Sequence, residues 1–88
     1  MATTIPNHLP PKTILMLYPP EEIKRLDRNT LAWTNRGFAV IRATDPSTAR
    51  SILDSNPGIG FIIVDSDFEG YGGGIRFLNG VNRSGMLV

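Results

Sequence analysis

Three acidic residues, Asp65, Asp67 and Glu69, follow the longest unbroken apolar run of this sequence, residues 59–64. A run of that length is too short to cross a membrane and is typical of a strand that is buried on both faces, as strands are in parallel sheets. Ligands of open α/β sheets bind at the carboxyl ends of the strands. Asp65 is therefore the candidate phosphoacceptor of this chain, and Asp65 with Asp67 is the pair that could contribute to a metal site.

The spacing of these acidic residues can be compared with that of a calcium-binding loop. An EF-hand loop has acidic residues at positions one, three and five, glycine at position six and a bidentate glutamate at position twelve. Counted from Asp65, the acidic positions and Gly70 agree with that pattern, but position twelve is Arg76, a cation where the last ligand belongs. The segment before Asp65 is also predicted as a strand, whereas an EF-hand loop follows a helix. The sequence therefore predicts no metal site.

Glycines dominate residues 70–74, between the predicted strand and a predicted helix, where phosphate-binding turns occur. A dinucleotide fingerprint that begins at Gly70 would need glycine where Ile75 stands, and a P-loop would need a Gly-Lys-Ser/Thr sequence that the chain lacks. We expect a flexible connection in which glycines adopt positive φ angles. The only histidine, His8, lies near the N-terminus and there is no cysteine. The sequence thus predicts no catalytic and no cofactor-binding residue.

The composition argues against several classes of protein. With 88 residues the chain forms one domain at most. Its 9 Lys and Arg residues and 8 Asp and Glu residues are scattered without runs, which argues against nucleic-acid and membrane partners. No segment has the roughly 20 consecutive apolar residues of a transmembrane helix. The N-terminus lacks the basic and apolar regions of a secretory signal, and we expect a cytoplasmic protein.

Strands alternate with helices between residues 12 and 88, after a proline-containing tail of residues 1–11 that is predicted to be disordered. The predicted helices start near Pro20, at Pro46 with Asp45 as N-cap, and near Ile75. The predicted strands are residues 14–17, 38–42 and 59–64, with the start of a fourth strand at residues 86–88.

This alternation predicts right-handed crossovers and a parallel sheet. We expect an α/β fold, a flavodoxin-like and receiver-like three-layer sandwich with strand order 2-1-3, truncated at the start of strand four. In such a sheet strand four covers strand three, and only residues 86–88 could begin to do so. The outer edge of strand three, residues 61–64, is therefore expected to be exposed. We expect a protein partner or self-association through this edge.

The order of these elements, with Asp65 at the end of strand three, resembles a response-regulator receiver domain over residues 12–88. The resemblance implies that Asp65 is the phosphoacceptor and that an acidic pair directly after strand one holds Mg²⁺ beside it. Those two positions are Tyr18 and Pro19 in this chain, and Glu69 stands where receivers carry proline. The serine or threonine and the lysine of receivers belong to strands four and five. This resemblance implies a degenerate receiver in phosphorelay signal transduction, with Mg²⁺ as its cofactor.

A second resemblance is to the N-terminal wing domain of bacterial ornithine/lysine/arginine decarboxylases, which are large pyridoxal-phosphate enzymes. It is carried by residues 21–26 (Glu-Glu-Ile-Lys-Arg-Leu), by residues 36–41 and above all by residues 55–67, where an Asn-Pro sequence leads into an apolar strand that ends in Asp-x-Asp. Ser66 stands between the acids, where the decarboxylases usually have tryptophan. The resemblance implies a receiver-like fold without phosphotransfer, in a domain that serves assembly.

The function that we expect is therefore protein–protein association by a non-catalytic receiver-like domain, with the degenerate receiver as the alternative. The chain is not expected to be an enzyme or to bind pyridoxal phosphate. A Schiff base with that cofactor needs a lysine in a shaped pocket, and the sequence has only Lys12 and Lys24.

Overall fold

The computed structural model describes residues 13–81 and 83–88. The predicted tail at residues 1–11, with His8, and also Lys12 lie outside the described residues. None of the helices in the described part of the chain is long and apolar enough to span a membrane. The elements are β1 (Thr13–Leu17), a 3-10 turn (Pro20–Glu22), α1 (Ile23–Thr34), β2 (Ala39–Ala43), α2 (Pro46–Ser55), β3 (Phe61–Val64), α3 (Gly73–Asn79) and β4 (Ser84–Leu87).

The four strands run parallel in one sheet, in the order β2-β1-β3-β4. α1 packs on one face of the sheet, whereas α2 and α3 pack on the opposite face. This architecture is compatible with a flavodoxin-like three-layer fold, and it confirms the predicted α/β class and the order 2-1-3. The alternation of strands and helices sufficed to predict the parallel α/β class, because parallel neighbours need a crossover connection. The order 2-1-3 was predicted from the flavodoxin-like fold.

The side chains of β1 alternate between two hydrophobic cores. Leu15 and Leu17 face the core under α2 and α3, whereas Ile14 and Met16 face the core under α1. Every residue of β1 is buried, which is why apolar residues are consecutive in this strand instead of alternating with polar ones. Burial of one such side chain contributes about 2 kcal/mol to the stability of the fold. Because its side chains enter both cores, β1 stabilises the packing of both helical layers.

α2 begins where the sequence predicts it. The carboxylate of Asp45, its N-cap, accepts hydrogen bonds from the backbone N–H of Thr48 at 2.9 Å and from the Thr48 hydroxyl at 2.7 Å. These bonds, the backbone one first, lower the pKa of Asp45 because they stabilise its charged form. Pro46 follows at the start of the helix, where its missing N–H costs nothing. The cap fixes the loop at the carboxyl end of β2.

The expectation of an open edge on strand three is wrong. β4 begins at Ser84 instead of Met86, and it pairs with the whole of β3, from Phe61 opposite Ser84 to Val64 opposite Leu87. The backbone edge of β3 is therefore covered within the described chain. Among the described residues, no strand pairs with the outer edge of β4.

Gly85 explains why the sequence predicts a fourth strand that starts later than the observed one. Serine and glycine have low β propensity, so the apolar signal starts only at Met86. In the structure, a Cβ on residue 85 would lie 2.6 Å from the carbonyl oxygen of Ile62 and 2.6 Å from Cδ1 of Leu78. Glycine is thus the residue that lets β4 approach β3 and α3 so closely. The same residue weakens the sequence signal and permits the pairing.

Candidate functional site

The loops that follow β1 and β3 meet at the carboxyl edge of the sheet. β1 leads through α1 to β2 on one side, and β3 leads through α3 to β4 on the other. A crevice between neighbouring strands whose connections diverge in this way is the usual ligand site of open α/β sheets. Asp65 lies there, and its backbone N–H donates to the carbonyl oxygen of Leu17 at 2.8 Å. The structure therefore places Asp65 at the strand end that the sequence indicates.

The carboxylate of Asp65 is buried, and only 3% of the residue is exposed. Its Oδ2 accepts a hydrogen bond from Nη1 of Arg25 at 2.8 Å. Its Oδ1 accepts one from the backbone N–H of Asp67, also at 2.8 Å. A buried charge is tolerated when it is both paired and hydrogen-bonded. Both oxygens of Asp65 have such partners, and one partner is a full positive charge.

Arg25 connects two carboxylates at the start of α1. Besides binding Asp65, its guanidinium lies 3.2 Å from Oε1 of Glu22, one turn earlier, and 5.3 Å from the centre of the Tyr18 ring. The hydrogen bond to Glu22, and then the hydrogen bond and charge of Asp65, raise the pKa of Arg25. The contact with Glu22 is partly exposed and contributes little to stability. The contact with Asp65 compensates a buried charge and matters more.

Tyr18 and Pro19 occupy the two positions after β1 that the receiver resemblance assigns to metal-binding acids. Both residues are buried. The hydroxyl of Tyr18 accepts a hydrogen bond from Nδ2 of Asn29 at 2.6 Å, and the ring belongs to the core under α1. These positions therefore contribute packing to the crevice and no carboxylate.

The Mg²⁺ that a receiver holds does not fit the residues at this site. Mg²⁺ requires several oxygen ligands in octahedral geometry, but the oxygens of Asp65 already bind Arg25 and a backbone N–H, and Asp67 is exposed. Within residues 13–81 and 83–88, no group of three or more His, Cys, Asp or Glu side chains could hold a metal ion. The positive charge next to Asp65 comes from the chain itself.

The glycine-rich segment holds α3 against the end of β3. A Cβ on Gly74 would overlap the carbonyl oxygen of Asp65. Gly72, which precedes the helix, has a φ angle of 70°, in agreement with the predicted positive angles. α3 begins inside the segment at Gly73, earlier than the predicted start near Ile75. Close packing therefore requires glycine at position 74, and the positive φ angle favours glycine at position 72.

A shallow cleft of about 310 Å³ lies beside this crevice at the carboxyl end of β2. Both of its charged side chains are engaged: Arg42 donates to Asp27 at 2.6 Å, and Asp45 caps α2 through Thr48. The cleft therefore presents no free charge to a ligand. Its lining consists of Ile23, Leu26, Arg42, Ala43, Thr44, Asp45 and Thr48.

The open edge of β4 is a second surface at which the described chain can bind. The N–H of Val88 donates to the carbonyl oxygen of Val64 at 2.9 Å, and its carbonyl oxygen accepts from the N–H of Ser66 at 3.0 Å. Both backbone groups of Val88 thus face β3. Because successive residues of a strand alternate in direction, both groups of Leu87 and of Gly85 face away from the sheet.

The side chains along this edge are uncharged and partly apolar. Met86, Leu87 and Val88 are 41%, 40% and 40% exposed. The opposite edge of the sheet, β2, carries Arg42, whose guanidinium binds Asp27 on α1. Charged side chains on an edge strand discourage pairing with another strand. β4 is therefore the edge that is better suited to accept one.

Arg25 is the residue of this site that sequence reasoning missed. The pattern of residues 21–26 gives it only a place on a helix, and 40 positions separate it from Asp65. Two signals could have identified it. A carboxylate at the end of a buried strand needs a counter-charge, and Glu22 and Arg25 have the spacing of a helical ion pair.

Comparisons of the chain with protein-family models, with curated proteins and with solved structures found no match. The resemblances to receiver domains and to decarboxylase wing domains therefore rest on the sequence features quoted above. The function has to be argued from the crevice at Asp65 and from the edge of β4.

Proposed function

We propose that this chain is a non-catalytic, receiver-like domain that associates with other proteins through the open edge of β4. The observation that carries the proposal is the edge itself. Gly85 and Leu87 direct their backbone groups away from the sheet, and the side chains beside them are apolar and half exposed. Unpaired N–H and C=O groups on a sheet edge accept a strand from a partner, and the main-chain hydrogen bonds supply the affinity.

The surroundings of Asp65 support the non-catalytic part of the proposal. A phosphoacceptor has to be reached by the phosphoryl donor and needs a divalent cation to offset the developing charge. Asp65 is buried and binds Arg25 instead. A carboxylate in this arrangement serves the fold, because it ties α1 to the end of β3.

The resemblance to the decarboxylase wing domain supports the same role, since that resemblance implies a domain for assembly. The degenerate receiver remains the alternative, and the phosphorylation experiment in the Discussion separates the two. A cytoplasmic location stays part of the proposal.

The proposal is tested by titrating the ¹⁵N-labelled chain with a soluble peptide of alternating threonine and valine flanked by lysines. Such a peptide forms strands but shares no sequence with β4, so it measures only whether the edge accepts a strand. We expect chemical-shift changes at the amides of Gly85 and Leu87, where new hydrogen bonds form. The helix α1 lies over other strands and serves as the internal control.

The matched variant is Leu87→Pro. Proline removes an N–H that faces away from β3, so the bonds inside the sheet remain, and edge strands tolerate proline. We expect the shift changes at β4 to be lost in this variant. Absence of shift changes at β4 in the wild type, or changes of equal size in Leu87→Pro, would overturn the proposal.

A further inference from the structure

We propose that the groove between α2 and the end of α3 binds a small α-amino acid in its zwitterionic form. The groove has a volume of about 280 Å³. It is lined by two cationic residues, one anionic residue, two aliphatic residues and a glycine: Arg50, Arg83, Asp54, Leu53, Val81 and Gly80. None of residues 84–88 lines it, so this proposal is independent of the association through β4.

Arg83 offers the groove a guanidinium that is already held in place. Its Nε donates to the carbonyl oxygen of Ile59 at 2.9 Å, and its Nη2 donates to that of Leu53 at 3.3 Å. A guanidinium carries five N–H donors, and Arg83 uses only two of them within the described residues. The planar guanidinium matches the geometry of a carboxylate. Because it is fixed before the ligand arrives, little conformational entropy is lost on binding.

Arg50 contributes a second positive charge. Its guanidinium lies 5.0 Å from the centre of the Phe77 ring, and its Nη2 lies 3.6 Å from Oε1 of Glu69. That separation is too long for a hydrogen bond, so the donors of Arg50 remain available for a ligand. The carboxylate of the ligand therefore binds at Arg83 and Arg50.

Asp54 is an anion at a position that the rest of the chain does not explain. It is exposed and lies near the C-terminus of α2, where the helix dipole disfavours negative charge. Arg50 precedes it by four positions, the spacing of a helical ion pair, yet Arg50 pairs with Glu69 instead. Within the described residues Asp54 has no partner. A residue that breaks a local rule without compensation is often functional, and the ammonium group of the ligand supplies the missing cation.

The size and the apolar part of the groove restrict the ligand further. Pockets for small molecules usually have volumes of about 300–1,000 Å³, so this groove suits a single amino acid better than a peptide or a nucleotide. Leu53 and Val81 provide apolar contacts for an aliphatic side chain. A simple carboxylate would leave Asp54 unpaired, and a simple amine would leave both arginines unpaired. Only a ligand with both charges satisfies all three residues.

The proposal is tested by titrating the ¹⁵N-labelled chain at low ionic strength with L-valine and two analogues. Isovalerate lacks the ammonium group of valine, and isobutylamine lacks its carboxylate. We expect saturable chemical-shift changes for valine at the amides of Asp54, Gly80 and Val81, with the amides of α1 as the internal control. Each analogue should bind more weakly by about five-fold, the effect of losing one partly exposed ion pair.

Two variants assign the two charges of the ligand. Asp54→Asn should weaken valine binding by about five-fold and abolish the preference for valine over isovalerate. Arg50→Gln should weaken the binding of valine and isovalerate and leave that of isobutylamine unchanged. Both residues are exposed, so we expect both variants to fold, which their NMR spectra will verify. Asp67→Asn changes an exposed carboxylate outside the groove and should bind valine like the wild type.

Three results would each overturn this proposal. The first is the absence of saturable changes at the groove with valine. The second is equal affinity for valine and isovalerate in the wild type, which would show that Asp54 binds no ammonium group. The third is an equal loss of valine affinity in Asp54→Asn and Asp67→Asn. The threonine–valine peptide reports on β4 alone, so the proposed function stands or falls separately.

Discussion

Arg25 and Asp65 are 40 residues apart in the sequence, yet Nη1 of the first lies 2.8 Å from Oδ2 of the second. The carboxylate is buried, whereas the guanidinium is partly exposed. The pair closes the crevice between β1 and β3 from the side of α1, at the position where open α/β sheets usually bind ligands. Asp65 thus ties α1 to the end of β3.

Replacing Arg25 should destabilise the fold. In Arg25→Met the aliphatic part of the side chain is kept, but the buried carboxylate of Asp65 loses its counter-charge. We expect the free energy of unfolding to fall by about 2–4 kcal/mol, measured by urea denaturation at neutral pH. Arg28→Met, at an exposed position on the same helix, is the control and should change stability by less than about 0.5 kcal/mol.

A double-mutant cycle separates the ion pair from other effects of the substitution. Asp65→Asn removes the buried charge, so adding it to Arg25→Met should recover part of the lost stability. Two results would contradict this prediction. The first is an equal free energy of unfolding for Arg25→Met and Arg28→Met. The second is a double variant in which Asp65→Asn lowers the stability of Arg25→Met by as much as it lowers that of the wild type.

Asp65 should not be phosphorylated by acetyl phosphate in the presence of Mg²⁺. Tyr18 and Pro19 stand where the metal-holding acids of a receiver belong, and Arg25 binds the acceptor oxygen. Intact-protein mass spectrometry after incubation, with beryllofluoride as a second probe by NMR, measures the reaction. A stoichiometric adduct that disappears in Asp65→Asn would favour the degenerate receiver over the association domain.

The cap of α2 should contribute to the acid sensitivity of the protein. The pKa of Asp45 is lowered in the folded state by its bonds to Thr48, so its stabilising effect is complete above the unfolded pKa of about 3.9 and is lost as pH falls through the folded pKa. Asparagine is as effective an N-cap as aspartate, but its side chain does not titrate. Asp45→Asn should therefore keep the urea midpoint at pH 7 and reduce its decline below about pH 4.

Two further variants serve as controls for the Asp45→Asn experiment. Asp45→Ala removes the cap and should lower the urea midpoint at neutral pH as well as in acid. Asp54→Asn changes an exposed carboxylate on the same helix and should leave the decline in acid as it is in the wild type. If the urea midpoints of the wild type and of Asp45→Asn declined equally in acid, protonation of Asp45 would not contribute to the acid sensitivity of the protein.

Gly74→Ala should be strongly destabilising because its Cβ would overlap the carbonyl oxygen of Asp65. We expect a loss of about 1–3 kcal/mol, the usual cost of overpacking. Gly60→Ala is the matched control, since nothing lies within 4 Å of a Cβ at that position. Thermal melts followed by circular dichroism compare the two. A melting temperature for Gly74→Ala equal to that of Gly60→Ala would show that α3 can move away from β3.

The sequence predicts the fold from local signals. The apolar run before Asp65 identifies β3, and Asp45 with Pro46 identifies the start of α2, because an apolar run and a helix cap are both patterns of neighbouring residues. The order 2-1-3 was predicted as that of the flavodoxin-like fold, because right-handed crossovers alone do not select one strand order.

The parts that could not be predicted depend on contacts between distant residues. Arg25 reaches Asp65 only after α1 has packed on the sheet, and no spacing in the sequence records that distance. Gly85 is in a strand because β3 and α3 surround it, although its own β propensity is low. The predicted position of Asp65 was therefore correct, whereas its partner and the covering of β3 came only from tertiary structure.

Arg83 has a consequence for how the protein opens locally. Its guanidinium binds the carbonyl oxygens of Leu53 and Ile59, while its backbone leads directly into β4. If Arg83 moves away when β4 detaches from β3, Leu53 at the end of α2 and Ile59 in the loop before β3 lose this donor together. We therefore expect the two segments to open together, so that the amide protons at the end of α2 exchange with solvent at the rate set by the opening of β4.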